Sequence, residues 1–127
     1  MEFKRQSADI ILNRADMLNI EQFALHIGAA RVEVRRRTKR REFISIEGSY
    51  FGARFPTWQV NEIGEPFNGI RDLYQRFMGD AWKVYDFLTE PNPRYQNYVP
   101  LELLQTGKLD QLLSLADASP PEPRRKG

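Results

Sequence analysis

The spacing of apolar residues predicts a helix over positions 20–27. Its apolar positions are Ile20, Phe23, Ala24 and Ile27. This recurrence is typical of an amphipathic helix with one buried face. Asn19 and Gln22 have the form of a capping box at its start, and Gly28 can adopt the positive φ that ends many helices. We therefore expect the helix to end at Gly28.

A second helix is predicted to follow almost immediately, starting near Ala30 with Val34 as its inward apolar residue. Ala24 is small enough to let two helices cross closely, and Gly28 lets the chain bend between them. The spacing of these small and apolar residues resembles that of the helix-turn-helix superfamily. In that arrangement the second helix is the one that enters a DNA groove.

The pattern changes from helical to alternating after this helix. Over residues 43–46 the two isoleucines would lie on one face of a strand. Gly48 and Ser49 can form a turn, so that residues 50–55 return as an antiparallel partner. A two-stranded hairpin directly after a recognition helix predicts the wing of a winged helix-turn-helix.

The second half of the chain returns to helical spacing. Its inward positions are Ile70, Leu73, Tyr74, Phe77 and Met78, then Trp82, Tyr85 and Leu88, then Leu101 and Leu104, then Leu109, Leu112, Leu113 and Ala116. The expected fold class is mainly α with a small β-hairpin. It comprises a winged helix-turn-helix lobe over residues 1–54 and a compact helical C-terminal lobe over residues 55–118. Residues 119–127 have no apolar side chain suited to a core and predict a disordered tail.

Positive charge is concentrated on the second helix. Seven of the 19 Lys and Arg residues lie between positions 31 and 41, against a single acid, Glu33, although the whole chain carries a net charge of only +2. Such a helix presents a basic surface suited to phosphates. The residues expected to contact DNA are Arg31, Val32, Arg35, Arg36, Lys39 and Arg40, with Arg54 of the returning strand at a backbone phosphate. Arg37 stands where such motifs usually place an apolar residue.

A series of aromatic, proline and leucine positions runs through the second half. Its members are Phe55, Pro56, Trp58, Gln59, Trp82, Phe87, Leu88, Pro91, Asn92, Pro93, Pro100, Leu101, Glu102, Leu104 and Gly107. In this order they resemble the toxin-binding domain of the Xre/MbcA/ParS antitoxins, over residues 55–118. The resemblance implies a surface that binds a partner toxin of the Arg-Glu-Ser type, an enzyme that consumes NAD.

Two features of this chain depart from that family. Residues 96–97 are Gln-Asn where the family has a glycine pair, and Val99 stands where it has a serine or threonine cap. Asn97 can still adopt a positive φ. If this half covers a partner protein, we expect Tyr95, Tyr98 and Lys108 at the interface, because aromatic side chains anchor many interfaces and Lys108 adds a long cation.

Catalysis is not expected. The chain has no cysteine, a single histidine, no glycine-rich phosphate loop and no clustered ligand set, so we expect no catalytic residue, metal or cofactor. No apolar run approaches the roughly 20 residues of a membrane span, and the start of the chain lacks the apolar region of a signal peptide. We expect a protein of the bacterial cytoplasm, associated with the nucleoid when it binds DNA.

Three functions follow from these patterns. The first is a transcriptional regulator that binds double-stranded DNA as a homodimer, with the helices after Trp58 supplying the dimer contact. The second is an antitoxin that neutralises an NAD-consuming toxin through its C-terminal helices and regulates its own operon. The third is an adaptor whose winged lobe recruits another protein. The intact basic helix, beside a loop that lacks the glycine pair, favours the regulator.

Overall fold

The computed structural model describes residues 10–48 and 52–118. The chain divides into two compact units, one ending at Pro66 and the other starting at Phe67. Over the described residues the fold is mainly α-helical with one small antiparallel sheet of two strands. The division falls later than the predicted boundary after residue 54, because Phe55 and Val60 belong to the core of the first unit. The tail predicted over residues 119–127 lies outside the described residues.

The first unit is built from two helices and a short sheet. Helix α1 spans Ile20–Ile27 and helix α2 spans Arg31–Lys39. Strand β1, Met17–Leu18, pairs antiparallel with strand β2, Phe55–Pro56, and a 3-10 helix covers Thr57–Gln59. Residues 10–12 are also helical and are followed by turns, so the chain leaves the helical conformation before β1.

Local side-chain chemistry fixes both ends of α1, as predicted. The side-chain oxygen of Asn19 accepts the N–H of Gln22 at 2.8 Å, and the N–H of Asn19 donates to the side chain of Gln22 at 2.9 Å. Gly28 has φ +74°, and its N–H donates to the carbonyls of Ala24 and Leu25. These bonds satisfy terminal groups that a helix otherwise leaves unpaired.

The predicted hairpin is reduced to one bridge in the described residues. Ile46 and Arg54 exchange two backbone hydrogen bonds of 3.0 and 2.8 Å. Of the turn predicted at Gly48 and Ser49, Ser49 lies outside the described residues. Phe55 pairs with Leu18 of β1 instead of continuing this bridge. The sheet therefore joins segments far apart in sequence, which an alternating pattern within one segment cannot indicate.

The side chain of Gln59 takes the place of a pairing strand beside Ile44. Its amide oxygen accepts the N–H of Ile44 at 2.5 Å, and its amide nitrogen donates to the carbonyls of Ile44 at 2.9 Å and Pro56 at 3.1 Å. Gln59 is 0% exposed. Phe43 and Ile44 are both buried, so these two neighbours do not show the predicted alternation between a buried and an exposed face.

Aromatic rings fill the core of the first unit. Phe23 of α1 stacks on Phe55 with ring centroids 4.8 Å apart and meets Phe43 edge-on at 5.1 Å. Val34 of α2 is completely buried in the same cluster. Such ring pairs contribute about 0.5–1.5 kcal/mol each beyond the area they bury. The inward sides of both helices are thus held by one core.

The second unit packs helices around an apolar core. Helix α3 spans Ile70–Arg76, α4 spans Ala81–Thr89, α5 spans Leu101–Gln105 and α6 spans Leu109–Ala118, with a 3-10 helix at Pro93–Tyr95. The predicted inward residues that are buried are Ile70, Leu73, Tyr74, Phe77, Tyr85, Leu88, Leu104, Leu112 and Ala116. Asp80 caps α4, because its carboxylate accepts the N–H of Lys83 at 3.1 Å.

Met78 is the exception in the predicted apolar stripe of α3. The helix ends at Arg76, and Met78 adopts φ +59° with 85% of its surface exposed. The reversal that carries the N–H of Gly79 back to the carbonyl of Tyr74, at 2.8 Å, turns Met78 outward. Met78 and Tyr98 are the exposed large apolar residues of the described second unit.

Candidate nucleic-acid interface

A tight turn joins α1 to α2. Gly28 is left-handed, and the N–H of Ala29 donates to the carbonyl of Ala24 at 2.9 Å. Ala24 is buried, and its short side chain lets the turn approach the end of α1. Helix α2 then begins at Arg31, with Ala30 as an N-cap that makes no side-chain hydrogen bond. The two helices and their turn lie where the sequence predicted them.

Helix α2 has one buried side and one exposed basic side. Val34 is fully buried, and Arg37 and Thr38 are half-buried. The exposed side chains are Arg31, Val32, Arg35, Arg36, Lys39 and Arg40. Residues three and four apart are neighbours on a helix surface, so these side chains form one continuous patch. We call these six residues the basic face.

Two arginines of the basic face are paired with acids. Arg31 Nη1 lies 3.1 Å from Glu21 Oε2 of α1, and Arg36 binds the carboxylate of Glu33 through Nε and Nη2. The hydrogen bond from Arg36 lowers the pKa of Glu33 and raises the pKa of Arg36. Both pairs are solvent-exposed, so they contribute little to stability. A DNA phosphate can therefore replace either acid at small cost.

The remaining cations of the basic face are more available. Arg35, Lys39 and Arg40 form no ion pair with another residue in the described parts of the chain. All three are exposed. Long cationic side chains on a helix can extend toward a charged partner. These three residues can therefore bind an anion without first breaking an ion pair.

Arg37 has a structural role on the opposite side of α2. Its Nε lies 2.8 Å from Glu42, its Nη2 lies 3.5 Å from Glu65, and its guanidinium carbon sits 4.8 Å from the centroid of the Phe43 ring. The hydrogen bond to Glu42 raises the pKa of Arg37. The side chain thus covers an aromatic core residue while its charge stays paired. This explains why a cation occupies a position where an apolar residue was expected.

Arg54 is half-buried and turned toward its own loop. Its Nη1 lies 3.4 Å from the carbonyl oxygen of Gly52 and 3.3 Å from that of Ala53. Both contacts use Nη1 alone, and a guanidinium carries further N–H donors on Nε and Nη2. Of the seven residues predicted to bind DNA, six share the basic face and Arg54 lies on the bridge to Ile46.

A separate open cleft of about 570 Å³ lies in the second unit. Its lining residues are Arg94, Tyr95, Gln96, Tyr98, Glu102 and Gln111. The Tyr95 hydroxyl donates to Glu102 at 3.1 Å, and the two tyrosine rings meet edge-on with centroids 5.7 Å apart. Burial, followed by the hydrogen bond to Glu102, raises the pKa of Tyr95. Lys108 is exposed but does not line this cleft.

Two residues beside this cleft adopt left-handed backbone conformations. Gln96 has φ +55° and Asn97 has φ +65°. These are the positions at which the resembling family has its glycine pair, and the positive φ predicted for Asn97 is confirmed. The Cβ of either residue crowds a backbone carbonyl there, but the short polar side chain of Asn can hydrogen-bond locally, so Asn tolerates this conformation better than Gln. The loop therefore keeps the conformation that glycines favour, at a cost in backbone strain.

The acidic partners of the basic face were not predicted from the sequence. The spacing of Glu33 and Arg36 is readable as an i, i+3 pair on a helix. Glu21 meets Arg31 only because α1 and α2 pack together, so no local signal predicts that pair. Arg94 and Gln111 likewise line one cleft only because separate segments of the second unit pack together.

Within the described residues, no three histidine, aspartate or glutamate side chains are grouped as ligands for a metal ion. No helix in this part of the chain is both long enough and apolar enough to cross a bilayer.

Comparison with known proteins yields a likeness of fold. No protein-family model and no curated protein matches the sequence. Among solved structures, the NMR structure of Rv2175c is similar to this chain, with a TM-score of 0.68 over 80% of this chain and 79% of that one. The two sequences are 13% identical. At that level the likeness shows a shared fold and nothing about function.

Proposed function

We propose that this protein is a sequence-specific transcriptional regulator that binds double-stranded DNA in the bacterial cytoplasm. In this proposal α1 and α2 are a helix-turn-helix, and α2 enters the major groove. The observation that carries the proposal is the basic face, where five cations and Val32 are exposed together on one side of a helix whose other side is fixed in the core.

The charge of the basic face suits the DNA backbone. Each cation that neutralises a phosphate releases a condensed counterion, so affinity falls with salt by a log–log slope of about −0.9 per phosphate. Arg35, Lys39 and Arg40 supply charge directly. Arg31 and Arg36 would exchange exposed carboxylates for phosphate or base oxygens. An arginine that binds a guanine through two hydrogen bonds adds roughly 1–3 kcal/mol of discrimination between bases.

The bridge between Ile46 and Arg54 supports the winged variant of this motif. It holds two backbone segments antiparallel after α2, with the connecting residues 49–51 outside the described chain. A wing at this position would lie beside a minor groove or backbone, and Arg54 would be its phosphate contact. We include the wing in the proposal on this basis.

We further propose that the active form is a homodimer. A single recognition helix contacts only a few base pairs, so specific recognition usually requires two helices related by a two-fold axis. Met78 and Tyr98 are the exposed large apolar residues that the described second unit offers to such a contact.

Selection from a random pool of duplex DNA tests the proposed function. The wild-type protein should enrich a consensus, in the form of an inverted repeat if the dimer is correct. An Arg35→Ala/Arg36→Ala variant should enrich none. The matched control is Arg71→Ala/Arg94→Ala, which also removes two exposed arginines but takes them from the second unit. Failure of the wild type to enrich any consensus would refute the proposal.

The cleft in the second unit favours a second candidate function, an antitoxin that binds a partner toxin. Tyr98 is 59% exposed at the mouth of the cleft, where a partner could bury it. Tyr95 and the exposed Lys108 are the other expected contacts. A Tyr98→Ala/Lys108→Ala variant should keep DNA affinity and lose a co-purifying enzyme. If the native cell yields no partner with the wild-type protein, the antitoxin function is excluded.

A further inference from the structure

Val32 is an apolar side chain on an otherwise charged surface. It is 71% exposed and is not among the residues that form or flank the core cluster of the first unit. Val34, two positions later, fills that core completely. The isopropyl group of Val32 therefore has no packing role that would explain an apolar residue at this position.

The position of Val32 on α2 places it among the arginines that would contact bases. It follows Arg31 directly and lies three and four residues before Arg35 and Arg36, so these side chains are neighbours on the helix surface. It also belongs to the first turn of α2. In helix-turn-helix proteins the N-terminal residues of the second helix are the ones that reach base edges.

The chemistry of the major groove limits what Val32 can contact favourably. Most base edges there present hydrogen-bond donors or acceptors, and covering one with an isopropyl group leaves that polar atom without a partner. The exception is the 5-methyl group of thymine, which is apolar and projects into the major groove. Contact between the two removes apolar surface of both from water.

We propose that Val32 recognises a thymine through its 5-methyl group and so determines sequence preference at one position in each half-site. This inference rests on the proposed function, because it requires α2 to lie in the major groove. Neighbouring residues then have different roles: the arginines supply charge and hydrogen bonds, and Val32 supplies an apolar contact.

Deoxyuridine substitution tests the proposal, since deoxyuridine differs from thymidine only by the missing methyl group. Each thymine of the selected consensus is replaced in turn, and the affinities of wild type, Val32→Ala and Val32→Thr are measured. For the wild type, one symmetry-related thymine position should lose about threefold to fourfold in affinity, the value of one buried methyl group. Val32→Ala, whose side chain reaches less far, should show a smaller loss at that thymine, and Val32→Thr, which keeps one γ-methyl, should show a loss close to that of the wild type.

The matched control is Ile63→Ala, which truncates another exposed apolar residue of the first unit outside the two helices. It should show the same deoxyuridine penalties as the wild type. A consensus without thymine, or penalties that are equal in wild type and Val32→Ala, would overturn the assignment of Val32. In that case salt-dependent binding that still requires Arg35 and Arg36 would leave the proposed function standing. Absence of any consensus would overturn both.

Discussion

Replacing Gln59 by leucine should destabilise the first unit more than any exposed substitution. Leucine has a similar volume but can neither accept the N–H of Ile44 nor donate to the carbonyls of Ile44 and Pro56, as Gln59 does. Ile44 and Pro56 are buried, so water cannot replace the lost partners.

The expected magnitude follows from which groups are left without a partner. A buried N–H without an acceptor costs about 1–3 kcal/mol, and the N–H of Ile44 loses its bond to the amide oxygen of Gln59. Carbonyls tolerate this loss better than N–H groups do. The extra apolar surface of leucine offsets part of the penalty. We therefore expect the free energy of unfolding to fall by about 3 kcal/mol, a large share of the stability of a domain this size.

Urea unfolding followed by circular dichroism measures this change. The transition midpoint should fall while its slope stays constant, which identifies a loss of stability rather than a change in compactness. Gln75→Leu is the control, because Gln75 is exposed on α3, and it should shift stability by less than about 0.5 kcal/mol. A Gln59→Leu protein as stable as the wild type would show that the amide does not hold residues 43–46 in place.

Further outcomes follow from the same structure. Arg36→Ala should weaken binding to the selected duplex by roughly 1–3 kcal/mol if Arg36 binds a guanine, and should lower the salt slope if it binds a phosphate; fluorescence anisotropy at several salt concentrations separates these cases, and unchanged binding would contradict its place on the basic face. Glu33→Gln should instead tighten DNA binding, because it removes a negative charge and the competitor for Arg36; weaker binding by anisotropy would contradict this. The bond to Arg36 lowers the pKa of Glu33. Any stability that this pair contributes is therefore present above the ordinary carboxyl pKa and is lost as the pH falls through the lowered pKa. Unfolding of the wild type and of Glu33→Gln across acidic pH would show this loss. Gln96→Gly should stabilise the protein by about 0.5–1 kcal/mol in urea unfolding, since φ +55° suits glycine, whereas Ser114→Gly at an exposed position in the middle of α6 should destabilise it by about 0.5 kcal/mol; equal effects would contradict the strain at Gln96.

Elements with local determinants could be predicted from the sequence. Helix α1 starts and ends at the predicted positions because Asn19, Gln22 and Gly28 interact only with their immediate neighbours. The buried side of α2 also follows from periodicity, since Val34 fixes the rotation of a helix whose other positions are mostly cationic. The same periodicity predicts which residues of α2 form the basic face without reference to any tertiary contact.

Features that depend on distant contacts were not predicted. The pairing of Phe55 with Leu18, instead of a continuous hairpin, depends on the aromatic core around Phe23. The side-chain amide of Gln59 makes the two backbone hydrogen bonds with Ile44 that a neighbouring strand would otherwise make. No periodic pattern in the sequence predicts such a side chain. Met78 has the right spacing for the core, but the chain reverses just before it.

The candidate site shows the same limit. Exposure of the six residues of the basic face follows from helix geometry. The pairing of Arg31 with Glu21, and of Arg37 with Glu42 and Glu65, depends on how α1 and the loops meet α2. Charge counting alone therefore overstates the exposed positive charge of α2, because Arg37 belongs to the structure of the unit rather than to the basic face.

Titration of ¹⁵N-labelled protein with the selected duplex, followed by NMR, tests directly whether α2 is the helix that contacts DNA. We expect the largest changes in amide chemical shift at residues 31–40 and at the bridge near Arg54. A scrambled duplex of equal length should produce smaller changes that vanish at higher salt. Changes centred on the cleft around Tyr95 and Tyr98, with the amides of α2 unmoved, would contradict the assignment of α2 as the DNA-reading helix.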